Sequence, residues 1–180
     1  AKAKETGVCF LFEASVGGGT PIITPMHQSL AANTITSVAG IINGTTNFML
    51  TRMEKDGADF DAALKEAQAL GYAETIDPSS DVDGIDACRK IAILASLAYG
   101  KHIYTQNVAT RGIRAGTPAN MRAARKLGYA VKRIAWAKKD GDGPLGCAVE
   151  HMMVSRGNQL AGVEDVFNAV MVEGDMLDDV

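Results

Sequence analysis

The chain has few cysteines, and no two are placed to work together. Cys9, Cys88 and Cys147 are odd in number and far apart, with no C-x-x-C and no Cys/His ligand spacing. That argues against a disulfide framework and a structural zinc site. They read as buried thiols of a reducing compartment, the cytoplasm. His27, His102 and His151 are as dispersed, and none has a second ligand nearby in sequence. Aromatic residues are scarce at 6%, and no basic run is interleaved with them, so the usual footprint of nucleic-acid binding is missing. A charge excess is missing as well. With 18 Lys and Arg against 21 Asp and Glu, the net charge is −3, which gives no electrostatic pull toward nucleic acid or membrane. The longest apolar run, residues 91–99, is broken by Ser96, and a membrane span needs about 20 residues. The opening AKAKETG is followed by too short an apolar stretch for a signal peptide and reads as the tail of a helix.

What is present is the balance of a globular domain, or one part of a larger protein: 180 residues, 47% apolar and 22% charged. Residues 8–13, VCFLFE, form a short apolar run before a glycine cluster and predict a buried strand. GGGTP predicts a tight turn, with a helix from Pro21. The β-branched stretch 34–42 predicts a second strand. NGTTNFMLTRMEKDG predicts a helix capped by Asn43 or Thr45 and ended by Gly57. Asp59 caps the next helix, whose apolar residues Phe60, Ala63, Leu64, Ala67 and Leu70 recur at three and four. A helix over about 84–99, a short one over 118–128, two strands joined at a 140–143 turn and a last strand in EDVFNAVMVEG complete the reading. The expected fold is α+β, a mixed, mainly antiparallel sheet with helices packed on one face.

Between the third and fourth helices lies GYAETIDPSSDVDGIDACRK, with five carboxylates in the thirteen residues 74–86. A calcium loop aligned on Gly84 would put Ser79 at its first position and Lys90 at its twelfth, where Asp and Glu are needed. That reading fails. A solvated helix entry is the plain alternative, with Asp81 or Asp83 as cap and Asp86–Lys90 as an exposed pair four apart. The other is a pocket: Asp86 and Lys90 share one helix face, and Glu74 enters from the preceding loop. Two carboxylates and one ammonium suit an amino-acid substrate, and lysine is a competent proton-transfer group.

Two more stretches carry donors. EASVGGGTP ends a predicted strand in a carboxylate and glycine-exposed carbonyls, either a plain turn or oxygens for a hard cation. NGTTN puts Gly44 and Thr45 at a helix start, either an ordinary cap or amides for an anion.

In this order, FEASVGGGTPII, GIINGTTNFMLTRM and EAQALGYAETIDPSSDVDGIDACRKIAILASLAYG together resemble the substrate domain of homoserine dehydrogenase, of the monofunctional type. The likeness is closest over residues 10–100. It implies reversible, NAD(P)-dependent interconversion of L-homoserine and L-aspartate 4-semialdehyde, on the route to threonine, methionine and isoleucine, in a homodimer. By motif, Glu74 would bind the substrate ammonium and Asp86 would orient substrate and lysine. Lys90 would meet the reacting hydroxyl. Asp81 would support them, Tyr72 would line the pocket, and Gly44 and Thr45 would lie beside substrate and nicotinamide. The resemblance also implies a sodium site on the Glu13 side chain and the carbonyls of Val16, Gly18 and Thr20.

No G-x-G-x-x-G in the chain follows a strand and opens a helix; the match at residues 141–146, GDGPLG, lies between two predicted strands. Residues 1–180 are therefore expected to be the catalytic and dimerisation domain, a piece without its dinucleotide-binding domain and inactive alone. The resemblance implies that the residues choosing NAD or NADP lie in that other domain. Two residues, Thr75 and Ile76, separate Glu74 from Asp77 where the family commonly has one, and Asn120 stands where an acid is more usual. A non-catalytic amino-acid- or cation-binding dimerisation module of the same fold is the alternative.

Overall fold

A computed structural model describes residues 2–139, 141 and 143–176. Its helices are α1 (Lys2–Thr6), α2 (Gly44–Lys55), α3 (Phe60–Ala69), α4 (Ser79–Val82), α5 (Ile85–Ala98) and α6 (Pro118–Lys126). Its strands are β1 (Ile35–Ile41), β2 (Ala109–Thr110), β3 (Tyr129–Lys139), β4 (Leu145–Ser155) and β5 (Ala169–Gly174). They form one sheet in the order β2-β4-β3-β1-β5. All neighbours are antiparallel except β2 with β4. The α+β expectation holds.

The strand period of two divides the sheet into unlike faces. Val38, Ala135, Ala137, Val149 and Val172 point to the helices and pack on Ala87, Ile91, Leu94 and Ala95 of α5. α2, α3 and α6 build a second cluster with Phe48, Met49, Met53, Ala63, Ala67 and Met121. On the opposite face a smaller cluster of Ile41, Ile134 and Leu160 is buried, with Ala39, Trp136, Val154 and Met171 around them.

Local signals set most boundaries. The Asn43 side chain accepts the Thr46 N–H to start α2, and the Asp59 side chain accepts the Ala62 N–H to start α3. Asp140 and Asp142 of the predicted hairpin turn lie outside the described residues; β3 and β4 pair in register on either side of it.

Four expectations need correction. Of the three thiols expected to be buried only Cys88 is; Cys147 is half-buried and Cys9 is exposed on the segment before the Glu13 turn. Residues 8–13 form no strand. Val8, Phe10 and Leu11 are exposed, and the sheet order gives the segment no neighbour to satisfy its N–H and C=O groups. The helix expected from Pro21 is a short helical segment with a wide turn at Pro25–Ser29, closed by Leu30 N–H on the Pro25 carbonyl at 3.0 Å. Neither Asp81 nor Asp83 caps α5. Gly84 holds that position with φ of 94° and no side-chain cap bond, while Asp81 lies in α4 and Asp83 pairs with Arg114 at 2.8 Å.

Candidate active site

The end of β1, the start of α2 and the α4–α5 elbow meet at one open cleft of about 390 Å3. Asn43, Gly44, Thr45, Tyr72, Asp81, Asp86, Lys90 and Val166 line it. Chain separations of up to 123 residues are therefore closed by the fold, and the predicted Gly44, Thr45, Tyr72, Asp81, Asp86 and Lys90 come together.

The Asp86–Lys90 spacing works as a helix predicts: Lys90 Nζ lies 2.8 Å from Asp86 Oδ2. The same ammonium donates to the Ile42 carbonyl at 3.0 Å. Two of its three protons are thus held, which leaves one donor for a ligand. Asn43 joins the two carboxylates. Its Nδ2 donates to Asp81 Oδ1 at 2.8 Å and to Asp86 Oδ2 at 2.9 Å. Its Oδ1 accepts from the Thr46 N–H and hydroxyl. Among the described residues, Asp81 Oδ2 and Asp86 Oδ1 have no protein donor. They leave two open carboxylate acceptors on residues that line the cleft.

The wall is fixed by equally short contacts. The Thr45 hydroxyl donates to the Tyr72 carbonyl at 2.6 Å, and the Tyr72 ring packs edge-on to Phe48, centroids 5.1 Å apart. A Cβ on Gly44 would sit 2.6 Å from the Val166 carbonyl oxygen, so only glycine lets the 163–168 loop approach α2 this closely.

These residues match a known pattern of sequence and fold. Residues 21–180 match the family profile described as homoserine dehydrogenase. A homoserine dehydrogenase of Synechocystis is 48% identical over 99% of this chain. The crystal structure of one from Thiobacillus denitrificans superposes with a TM-score of 0.95 at 42% identity over 99% of the chain.

The chain belongs to the homoserine dehydrogenase family.

It spans 42% of the Synechocystis relative's length and 41% of the Thiobacillus chain. A hyperthermophilic archaeal homoserine dehydrogenase solved in complex with NADPH gives a TM-score of 0.81 at 33% identity, with this chain covering 50% of it.

Of the predicted catalytic and substrate-binding residues, Glu74 alone stays out of the cleft lining. It is exposed. Its backbone carbonyl accepts from Gln68 Nε2 at 2.9 Å, and its carboxylate has no partner among the described residues. Thr75 and Ile76 beside it are exposed too, Ile76 by 97%, so the longer loop bows outward and carries Glu74 with it. Sequence reading also missed two groups. Asn43 is read there as a cap alone, although a capping Asn uses its oxygen and leaves its amide N–H groups free for other work. Val166 has no local signal, since only the β5 approach places it.

The Glu13 turn is a separate feature. Gly17 and Gly19 take positive φ, and Thr20 N–H closes on the Gly17 carbonyl at 2.6 Å. Glu13 Oε1 accepts the N–H of Ile22 at 2.5 Å and of Ile23 at 2.7 Å. Oε2 accepts the Thr24 N–H at 2.7 Å and the Thr24 hydroxyl. Four donors occupy the lone pairs a cation would need, so this carboxylate does not fit as a sodium ligand; the carbonyls of Val16, Gly18 and Thr20 remain as neutral oxygens. The Thr24 hydroxyl, then the backbone N–H groups against burial, hold the Glu13 pKa down at about 2 from an ordinary 4.5. A pKa depressed by folding stabilises above the unfolded value and loses that effect as pH falls through the folded one. We expect Glu13→Gln to lower the melting temperature at pH 7, with the gap to wild type closing between about 4.5 and about 2. A gap of constant size across that range, followed by circular dichroism, would refute the role.

Proposed function

We propose that the chain is the substrate-binding and catalytic part of an enzyme that interconverts L-homoserine and L-aspartate 4-semialdehyde with NAD(P). The observation that carries this is one lysine ammonium, with a proton to spare, in a cleft with two bridged carboxylates. A substrate ammonium meets Asp81 Oδ2 and Asp86 Oδ1. Asp86 also aims Lys90, and Lys90 faces the reacting oxygen. NAD(P), when bound, accepts the hydride from the alcohol carbon or returns it to the aldehyde carbon. In the reducing direction the Lys90 ammonium donates its free proton to the oxygen on which negative charge develops and is left as the neutral amine; in the oxidising direction that neutral amine takes the hydroxyl proton and becomes the ammonium. Gly44, Thr45 and Val166 offer a small wall for the nicotinamide end. Among the described residues no G-x-G-x-x-G turn joins a strand to a helix to hold a pyrophosphate, so we assign the cofactor's main surface to a dinucleotide-binding domain outside these 180 residues and expect the chain by itself to be inactive.

The proposed role of Glu74, binding the substrate ammonium, is the weakest of these assignments on geometry, because its exposed carboxylate lies outside the cleft lining. Any sodium is held by the carbonyls of Val16, Gly18 and Thr20, where it steadies the turn and takes no part in a step. The sheet face opposite the helices is the homodimer surface. Ala39, Trp136, Met152 and Met171 line an open depression there of about 510 Å3, with a share of apolar area that favours association. No helix among the described residues is long and apolar enough to cross a membrane. With Cys9, Cys88 and Cys147 all unpaired, a reducing cytoplasm suits the protein.

The test is absorbance at 340 nm with the full-length protein, L-homoserine and NAD or NADP. Homoserine-dependent reduction is expected with one of them, and a sedimentation mass of two chains. A folded full-length protein inactive with both cofactors would leave a binding module of the same fold.

A further inference from the structure

β3 sends one charged side chain into the helix layer. Arg133 is only 4% exposed. Its Nη1 donates to the Asp81 carbonyl at 2.8 Å and its Nη2 to the Arg111 carbonyl at 3.0 Å. The guanidinium thus ties the α4–α5 elbow to the segment after β2, beside the bond from Ile113 N–H to the Val82 carbonyl. Room is left for it by a missing side chain: a Cβ on Gly84 would lie 1.8 Å from Nη2. Burial draws its pKa down to about 10, opposed by the fields of Asp83, Asp81 and Asp86, so it is a cation at neutral pH. Among the described residues it has no direct carboxylate partner, and its Nε is unbonded.

A buried charge without a paired carboxylate is a poor way to fill a core; an apolar side chain would cost less. One of its bonds holds the backbone of the cleft residue Asp81, and the other anchors the guanidinium to the Arg111 carbonyl outside the cleft lining. We infer that Arg133 is a positioning residue of the substrate pocket, fixing the backbone that carries Asp81 and thereby the grip on the substrate's ammonium. This rests on the reaction proposed above. Lys90 is held by Asp86 and the Ile42 carbonyl, neither of which touches Arg133. The effect therefore falls on substrate binding and spares the chemical step.

The experiment compares full-length wild type with Arg133→Ala and Arg133→Lys, each checked for folding by its melting curve. Loss of two charge-assisted bonds is expected to raise KM for homoserine about tenfold or more in Arg133→Ala. The kcat should change by less than about threefold, since the proton-transfer group stays in place. Arg133→Lys keeps the charge but cannot reach two carbonyls with one ammonium, so it falls between. Ethylguanidinium should restore KM in Arg133→Ala, and ethylammonium should not. A folded variant with wild-type KM overturns the inference, as does an Arg133→Ala defect confined to kcat. A wild type that turns over no homoserine overturns the reaction itself and takes this inference with it.

Discussion

Lys90→Ala in the full-length protein is expected to lower kcat for homoserine oxidation by about two to four orders of magnitude, the usual weight of a positioned proton-transfer group. The protein should still fold. The Asp86–Lys90 pair is partly open to solvent, with side-chain exposures of 29% and 22%. A pair of this kind at helical spacing stabilises by about 0.5 kcal/mol or less. A melting temperature near wild type beside a collapsed kcat would place the loss in the chemistry. Asp86 Oδ2 keeps its bond from Asn43, so the substrate's acceptors survive and KM should move far less than kcat. Turnover within a few fold of wild type would sink the assignment of Lys90 and leave the family membership intact.

Asn43→Ala should damage stability and binding together, because this one side chain does two jobs. Its oxygen caps α2, worth about 1 kcal/mol. Its amide holds two carboxylates at 2.8 and 2.9 Å, and hydrogen bonds to charged groups contribute about 1.5–3 kcal/mol each. Neighbouring terms do not add, so a total of about 2–4 kcal/mol is expected, a fall of roughly 5–15 °C in melting temperature for a chain of this size. Without the bridge the carboxylates repel and lose their common aim, and KM for homoserine should rise at least about tenfold. Asn43→Ser separates the roles. Serine is a good cap but too short to span both carboxylates, so it should recover part of the stability and none of the KM. A serine variant that binds homoserine as well as wild type would show that the bridge is incidental to binding.

Much of this protein is legible one segment at a time. The caps at Asn43 and Asp59, the apolar period of α3 and the Asp86–Lys90 spacing each need only a few neighbouring residues, and all stand in the structure. Residues 8–13 show where that stops. Their apolar run satisfies every local rule for a strand, yet a strand needs a partner, and the five-strand order offers none. Lys132 and Arg133 show another limit. Nothing local in two adjacent cations of a strand marks burial, yet they are 2% and 4% exposed. Each finds backbone carbonyls far along the chain, Lys132 that of Val163 and Arg133 those of Asp81 and Arg111.

The sequence by itself therefore determined the local elements, the α+β class and the helix face shared by Asp86 and Lys90, because these depend on periodicity and on residues within a turn of one another. Only the tertiary structure decided that Asn43 spans Asp81 and Asp86, that Val166 lines the cleft beside Gly44, that Glu74 stays out of its lining, and that Arg133 donates to the Asp81 carbonyl. Each of those depends on what another segment places opposite a side chain. That is settled by packing and by the pairing of buried polar groups across the whole chain.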